Sequence, residues 1–302
     1  MRSVTLVEVG QSKALVYKVS RRQLLNYVDN WNRFVAVPDV ELLSSVLHLL
    51  ESCELPYIGV RVPLAWLNDV VDTMGVDPTQ YHEHFSPVRS VTPHPLVHGG
   101  EEEVRLRILV EPNAYAHPRT NRAGDVFRKY SGRVLLPDRI WWDTTHVIAL
   151  CSREPVLSNI FYSVRLKVAE NLREYAEKAL TLWLNTTWGL LTVLVNRHET
   201  RGRWTRLKKA HWRLLRVLDV RSLDNEALKR LAEAFDKYAE KTPRRIPEQF
   251  NPGNPDPVRL GMDKDFVKAL NPSVNEEALE RGLVELYKRI NAAFRLWIEG
   301  SQ

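Results

Sequence analysis

Residues 159–184 read NIFYSVRLKVAENLREYAEKALTLWL, and the pattern of apolar residues changes within this stretch. Residues 159–166 form a run of branched and aromatic side chains that is typical of a β-strand. Across residues 168–184 the apolar side chains recur every three or four positions, as they do on one face of a helix. This change divides the chain into a β-rich part, 1–166, and a mostly helical part, 167–302.

The same division continues outward along the chain. Strand patterns occur on the N-terminal side, at Val4–Val9, Ala14–Val19, Val104–Val110, Arg133–Leu136 and Ile140–Leu150. Helical patterns occur on the C-terminal side, at Thr187–Arg197, Asp224–Lys241 and Asn275–Ile298. Strands followed by helices predict an α+β fold, with a β-rich N-terminal half followed by a mostly helical C-terminal half. Because no flexible linker separates the two halves, we expect two subdomains packed as one unit.

The composition is that of a globular protein. Of the 302 residues, 44% are hydrophobic and 26% are charged. The net charge of +6 comes mainly from arginine, whose planar guanidinium matches phosphates and guanine edges. The two cysteines form no C-x-x-C pair, which argues for a reducing compartment and against a zinc knuckle. The most apolar stretch, Ala179–Val195, is too polar for a membrane span. We therefore predict a cytoplasmic protein.

The common catalytic motifs are absent from the sequence. No two glycines have the G-x-G spacing of a dinucleotide or S-adenosylmethionine loop, and no G-x-x-x-x-G-K phosphate loop occurs. No Pro-Pro pair occurs, so the Pro-Pro loop with which adenine methyltransferases hold the flipped base is missing. The pairs Pro38-Asp39 and Pro137-Asp138 suggest a nuclease, but no lysine follows an acidic residue by two positions. The sequence therefore predicts no catalytic residue in this chain.

The segment from Pro56 to Gly100 is rich in proline and glycine, with one short helical pattern at Leu64–Met74. It contains four histidines, and imidazole is a common zinc ligand; they are His82, His84, His94 and His98. Their irregular spacing without cysteine favours polar loop residues over ligands. We predict no metal site, and the role of the histidines stays open.

The strongest signal is a basic segment at residues 196–216. It has eight lysines or arginines against one acid, Glu199, and so carries a charge of +7. Gly202 allows a sharp turn or a close approach to phosphate, and Trp204 and Trp212 place aromatic surface among the cations. Such a segment could bind nucleic acid, or it could be a solvated basic face or a dock for an acidic partner.

The residues around this segment resemble a known family. The stretches concerned are 179–191, 199–202, 207–209 and 217–219, preceded by 134–140 and 155–159 and followed by Arg259–Asp263. They resemble the C-terminal, target-recognition region of adenine-specific DNA methyltransferases of restriction-modification and phage-defence systems. The resemblance covers roughly the last two-thirds of the chain. The family's catalytic half is not recognisable here, so methyltransferase activity does not carry over.

The resemblance implies a DNA target-recognition module or specificity subunit that holds duplex DNA. A separate methyltransferase catalytic subunit would bind S-adenosylmethionine and extrude the adenine, and this chain would need no cofactor and no metal. The candidate DNA-binding residues are Arg197, Arg201, Gly202, Arg203, Trp204, Arg206, Lys208 and Lys209. Weaker candidates are Asn30, Trp31, Arg33 and Asn185. For Asn185 we favour a helix cap at Thr186–Thr187 over a DNA contact.

Two other functions compete with this one. The chain could be a protein-interaction subunit of a defence complex that contacts no DNA. Its partner would pack on the apolar side of the helix predicted at Asp224–Lys241, which carries Leu228, Leu231, Phe235 and Tyr238, although burial in the core is favoured for these residues. An RNA-binding protein would also suit the alternation of arginine and tryptophan, but no RNA-module signature is present.

Overall fold

The computed structural model describes residues 3–9, 12–18, 20–26, 37, 39–75, 78–99, 104–197 and 204–299. The β-strands are β1 Ser3–Val9, β2 Ser12–Lys18, β3 Leu64–Trp66, β4 Val71–Met74, β5 Phe85–Val88, β6 Pro95–Val97, β7 Leu109–Val110, β8 Ala114–Pro118, β9 Gly132–Pro137, β10 Arg139–Trp141, β11 Leu150–Ser158, β12 Phe161–Leu166, β13 Trp204–Arg206 and β14 Arg216–Leu218. The α-helices are α1 Arg21–Asn26, α2 Val40–Ser52, α3 Leu67–Val70, α4 Pro78–His84, α5 Ala123–Tyr130, α6 Glu170–Asn185, α7 Thr187–Val195, α8 Lys209–Arg213, α9 Asn225–Tyr238, α10 Pro257–Leu270 and α11 Glu276–Glu299. A 3-10 helix spans Ile246–Phe250.

The predicted α+β class is confirmed. Strands lie mostly in the N-terminal half and helices mostly in the C-terminal half. The predicted change of pattern after residue 166 coincides with the end of β12, and α6 begins four residues later. The local pattern of apolar residues therefore predicts where the polypeptide changes from extended to helical structure.

One large mixed sheet forms the centre of the N-terminal half. Its strands lie in the order β4-β12-β9-β11-β6-β8-β5, and β7 also pairs with β11. Strand β9 is antiparallel to both of its neighbours, β12 and β11, whereas β6 and β7 run parallel to β11. The long β11 is paired on both sides, which explains why its ends are fully buried.

Helix α6 packs between this sheet and the C-terminal helices. Ala176, Leu180 and Trp183 are buried on it, and the helix contacts β9, β11 and β12 on one side and α9 on the other. Every residue of the following α7 is buried, because α7 packs among α2, α6 and β14. One hydrophobic cluster contains buried residues from Val37 to Phe294, so residues on both sides of position 167 share the same core.

A sharp corner joins α6 to α7. Thr186 caps α7, because its hydroxyl accepts a hydrogen bond from the Gly189 amide at 3.2 Å. Gly189 itself packs against the end of α6. A Cβ atom at this position would lie 2.0 Å from the carbonyl oxygen of Trp183, so only glycine allows the two helices to approach so closely.

A buried polar network fixes α7 against the C-terminal helices. Asp263 on α10 accepts hydrogen bonds from the Thr187 amide at 2.8 Å and from the Tyr287 hydroxyl at 2.6 Å. Arg259, one helical turn before Asp263, donates from Nε to Gln249 at 2.7 Å. Both charged side chains are fully buried, so each must be compensated by its neighbours.

The structure differs from the sequence-based prediction in three places. The strand predicted at Val104–Val110 is confined to Leu109–Val110, because residues 105–108 form turns and bends. The short helical pattern predicted at Leu64–Met74 forms two strands, β3 and β4, around a single turn of helix. The strand predicted at Ile140–Leu150 is interrupted, because β10 ends at Trp141 and β11 starts at Leu150. In the last two places short apolar runs pair with distant strands, which local patterns cannot indicate. No helix in the described part of the chain is long and apolar enough to cross a membrane.

Candidate nucleic-acid interface

Within the basic segment, residues Trp204–Arg206 form β13, one strand of a two-stranded antiparallel ribbon. Strand β13 pairs with β10, so that Arg206 lies opposite Arg139, Thr205 opposite Ile140, and Trp204 opposite Trp141. Side chains alternate between the two faces of a strand. Ile140 and Thr205 face the core, and Arg139, Trp141, Trp204 and Arg206 face outward. We call these last four residues the outer ribbon face.

The inner side of the ribbon is fixed to the core. The indole nitrogen of Trp142 donates to the Thr205 hydroxyl at 2.9 Å, and that of Trp212 donates to the Pro137 carbonyl at 2.8 Å. Both tryptophans are buried. Trp212, which the sequence suggests as aromatic surface for nucleic acid, is therefore a core residue, and that expectation was wrong. These hydrogen bonds attach the inner face of the ribbon to the core.

The outer ribbon face combines aromatic surface with positive charge. The rings of Trp141 and Trp204 have centroids 6.0 Å apart at 31° to each other, and Trp141 is 40% exposed. The guanidinium of Arg139 lies 5.7 Å from the centre of the Trp204 ring. Cross-strand aromatic pairs stabilise such a ribbon, and an arginine over an aromatic ring gains a cation–π attraction.

Asp138 lies between the two arginines of this face. Its Oδ2 accepts a hydrogen bond from Arg206 Nε at 3.2 Å and lies 3.7 Å from Arg139 Nε. Its Oδ1 accepts a hydrogen bond from the Tyr162 hydroxyl at 2.9 Å. One carboxylate thus offsets the repulsion between two cations that lie directly opposite each other on neighbouring strands.

The structure brings four of the predicted DNA-binding residues together. Trp204 and Arg206 lie on the outer ribbon face, and Lys208 and Lys209 follow at the start of α8. Lys208 is exposed, and Lys209 lies 5.7 Å from the ring centre of Tyr162. The predicted residues Arg201, Gly202 and Arg203, and the weaker candidates Asn30, Trp31 and Arg33, lie outside the described residues.

Two predicted contacts are corrected by the structure. Arg197 is only 7% exposed, and its burial makes it unsuitable as a phosphate contact. Asn185 is fully buried and ties α6 to the start of β11. It accepts from the Ile148 amide at 2.7 Å and donates to the carbonyls of Ala149 and Thr181. It therefore neither contacts DNA nor caps α7, since the capping residue is Thr186.

Asp138, Arg139 and Trp141 belong to this surface but were not predicted. The alternation in Arg139-Ile140-Trp141 was the available signal, because a strand with one apolar side chain between two polar or amphipathic ones has an outward face. What the sequence could not supply was the partner strand, which lies 65 residues away at Trp204–Arg206.

The histidines lie elsewhere. His84 Nδ1 lies 2.9 Å from the Thr120 hydroxyl, and the His94 ring packs edge-on against Phe127 at 4.9 Å. Burial lowers the pKa of His94, partly offset by a hydrogen bond to the Ala116 backbone. Among the residues that the structure describes, no group of three or more histidine, cysteine or acidic side chains is placed to hold a metal ion.

The helix proposed for a protein partner has its apolar side in the core. Leu228, Leu231, Phe235 and Tyr238 are all buried where α9 packs against α6 and α10. The expectation that these residues are core residues is confirmed. This side of α9 is therefore not available as a docking surface.

Comparison with known proteins gives one distant structural similarity. No family model matches the chain, and no curated protein matches it. The fold is similar to the crystal structure of the type IIG restriction endonuclease BpuSI, with 12% sequence identity and a TM-score of 0.49. The match covers 96% of this chain but 37% of that enzyme, so the chain spans little more than a third of its length. At this identity and TM-score the similarity carries no argument about function.

Proposed function

We propose that this chain binds duplex DNA through the outer ribbon face, as the target-recognition module of an adenine DNA methyltransferase. Methyl transfer and S-adenosylmethionine binding would belong to a separate catalytic subunit. The family resemblance across residues 179–219 motivates the second part of this proposal. The first part rests on one observation, the placement of two arginines and two tryptophans on one exposed side of an anchored ribbon.

The two-stranded architecture and the side chains of the ribbon suit DNA binding. The major groove of duplex DNA admits a two-stranded β-ribbon as well as a helix. Arginine side chains neutralise phosphates and release counterions, which supplies salt-dependent affinity. Indole rings add apolar contact with sugars and bases. The six residues that precede β13 in the sequence, 198–203, include two further arginines, Arg201 and Arg203.

Fluorescence anisotropy with a labelled random-sequence duplex tests DNA binding. We expect affinity that falls steeply with salt, and a loss of about tenfold in an Arg139→Ala/Trp141→Ala variant. An Arg201→Ala/Arg203→Ala variant should show a smaller salt slope, by about one unit for each lost phosphate contact. Arg281→Ala is the matched control, since Arg281 is a well-exposed arginine on α11 and its loss should change affinity little.

The possible results separate the competing functions. If the chain fails to bind duplex DNA even at low salt, the proposal is wrong, and the basic surface should be tested as a dock for an acidic protein. If it prefers single-stranded RNA to duplex DNA, the RNA-binding interpretation replaces it. If the ribbon variant binds as well as the unchanged chain, DNA binding occurs at another surface.

A separate experiment tests whether S-adenosylmethionine binding and methyl transfer belong to another subunit. Isothermal titration of the chain with S-adenosylmethionine is expected to give no binding heat. The chain alone should also transfer no labelled methyl group to adenine-containing duplex DNA. Methyl incorporation by the purified chain would contradict its assignment as a recognition module without catalytic machinery.

A further inference from the structure

We propose that Arg206 is a specificity-determining residue that recognises guanine in the major groove, and that Asp138 is the positioning residue that orients it. This inference rests on the proposed function, because it names the base that the outer ribbon face would contact. The evidence for it is the geometry around the Arg206 guanidinium, because a carboxylate holds this side chain at Nε.

The first observation is which atom of Arg206 meets the carboxylate. Nε donates to Asp138 Oδ2 at 3.2 Å, so Asp138 holds the inner edge of the guanidinium. The two terminal nitrogens, Nη1 and Nη2, lie beyond that edge at the end of a side chain that is 46% exposed. An arginine held in this way presents two parallel N–H donors outward from the ribbon.

The second observation is that Asp138 is itself fixed. The Tyr162 hydroxyl donates to its other carboxylate oxygen at 2.9 Å, and its backbone carbonyl accepts from the Leu207 amide at 2.8 Å. Tyr162 is buried, and the Asp138 side chain is mostly buried. Because the carboxylate cannot swing freely, it limits the rotamers of Arg206 and reduces the entropy lost when a partner binds.

The chemistry of this arrangement selects guanine. In the major groove, guanine presents two acceptors, O6 and N7, at a spacing that matches Nη1 and Nη2. Adenine replaces one of these acceptors with a donor, and so it cannot accept both bonds. A nearby carboxylate also offsets the positive charge of Arg206, which weakens its attraction to any phosphate. Asp138 therefore weakens the attraction of Arg206 to phosphates and favours its directional hydrogen bonds to a base.

Selection from a randomised duplex pool, followed by sequencing, tests the assignment. The unchanged chain should enrich a motif with guanine at one position. Arg206→Met keeps an unbranched side chain of similar length but removes every N–H donor, and should abolish the preference at that position alone, a change of about tenfold in relative affinity. Arg213→Met is the matched control, because Arg213 is an exposed arginine of the same basic segment, and its profile should not change.

A base analogue tests the atoms involved. Replacing the selected guanine with 7-deazaguanine removes the N7 acceptor and keeps Watson–Crick pairing. Binding by the unchanged chain should weaken about tenfold, whereas binding by Arg206→Met should not respond. Asp138→Asn should bind random duplex DNA more tightly and discriminate less against 7-deazaguanine. A merely structural role of Asp138 would lower both affinities together and leave that discrimination intact.

Each outcome has one meaning. If the unchanged chain binds no duplex DNA, the proposed function fails, and the guanine assignment fails with it. If it binds but selects no guanine, or if Arg206→Met keeps the same guanine preference and the same response to 7-deazaguanine, only the guanine assignment is overturned. Thermal unfolding of each variant, monitored by circular dichroism, identifies any variant that does not fold, and Arg206→Met changes only a half-exposed side chain.

Discussion

At the scale of single residues, Glu177 on α6 is a buried acid with an unusual pKa. It is 2% exposed and faces the sheet, and burial raises the pKa of its carboxyl to about 7. Arg133 lies 3.7 Å away, but its Nε donates to the Ser152 carbonyl instead of to the carboxylate. The attraction to Arg133 is therefore too weak to offset the cost of burying the charge.

This raised pKa predicts a pH-dependent stability. In the unfolded chain the Glu177 carboxyl loses its proton at an ordinary pKa of about 4.3, whereas the folded protein retains it to about pH 7. Between these values the unfolded state binds fewer protons, so Glu177 lowers the free energy of unfolding as the pH rises. Glu177→Gln should therefore be more stable than the unchanged chain at pH 8, by up to about 3 kcal/mol, and nearly equal to it at pH 4.5.

Urea unfolding of both proteins at the two pH values, monitored by circular dichroism, measures this difference. Glu174→Gln is the matched control. Glu174 lies one turn away and is more than half exposed, and a hydrogen bond from Lys178 lowers the pKa of its carboxyl. That variant should gain no stability at pH 8. An equal effect of Glu177→Gln at both pH values would show that the Glu177 carboxyl does not titrate as proposed.

At the scale of elements, the sequence predicted well those helices and strands that carry a clear periodicity of their own. The ribbon β1–β2 and the helices α6, α7, α9 and α11 all appear near their predicted bounds. Their apolar periodicity and capping residues are local signals. Asp224, for example, caps α9 by accepting from the Ala227 amide at 2.7 Å.

The elements that the sequence did not predict depend on distant partners. Strand β14 pairs with β3, and β13 pairs with β10, across long separations in the chain. These are three-residue strands, too short to carry a clear alternation of their own. The same limit applies to the candidate site. Trp204 and Arg206 were found from charge and composition, but Arg139 and Trp141 join them only through the strand pairing.

The misassignment of Asn185 has a related cause. An asparagine before two threonines at a break between helices fits a capping pattern, and Thr186 shows that a cap does exist there. The sequence could not show that the Asn185 amide bonds to residues 148 and 149, at the start of β11. A buried amide that completes backbone hydrogen bonds of a distant strand resembles an exposed polar residue until the fold is known.

At the scale of the whole molecule, three features join the two predicted subdomains. Helix α6 lies on the central sheet, β14 pairs with β3, and β13 pairs with β10. Each of these contacts has one member on either side of residue 167. Separation of the two halves would therefore expose the apolar faces of α6 and the sheet, and would leave two short strands in each half unpaired.

The division into 1–166 and 167–302 thus remains a prediction about sequence pattern, and we expect it not to correspond to independent folding units. Urea unfolding of the full chain should follow one transition in which far-UV circular dichroism and tryptophan fluorescence coincide, because the core is continuous. Residues 167–302 expressed alone should lack the native helical signal and should bind a hydrophobic dye, since α6 would lose the strands β9, β11 and β12 against which it packs. Two separate transitions, or a cooperatively folded 167–302 fragment, would show that the helical half carries a sufficient core of its own.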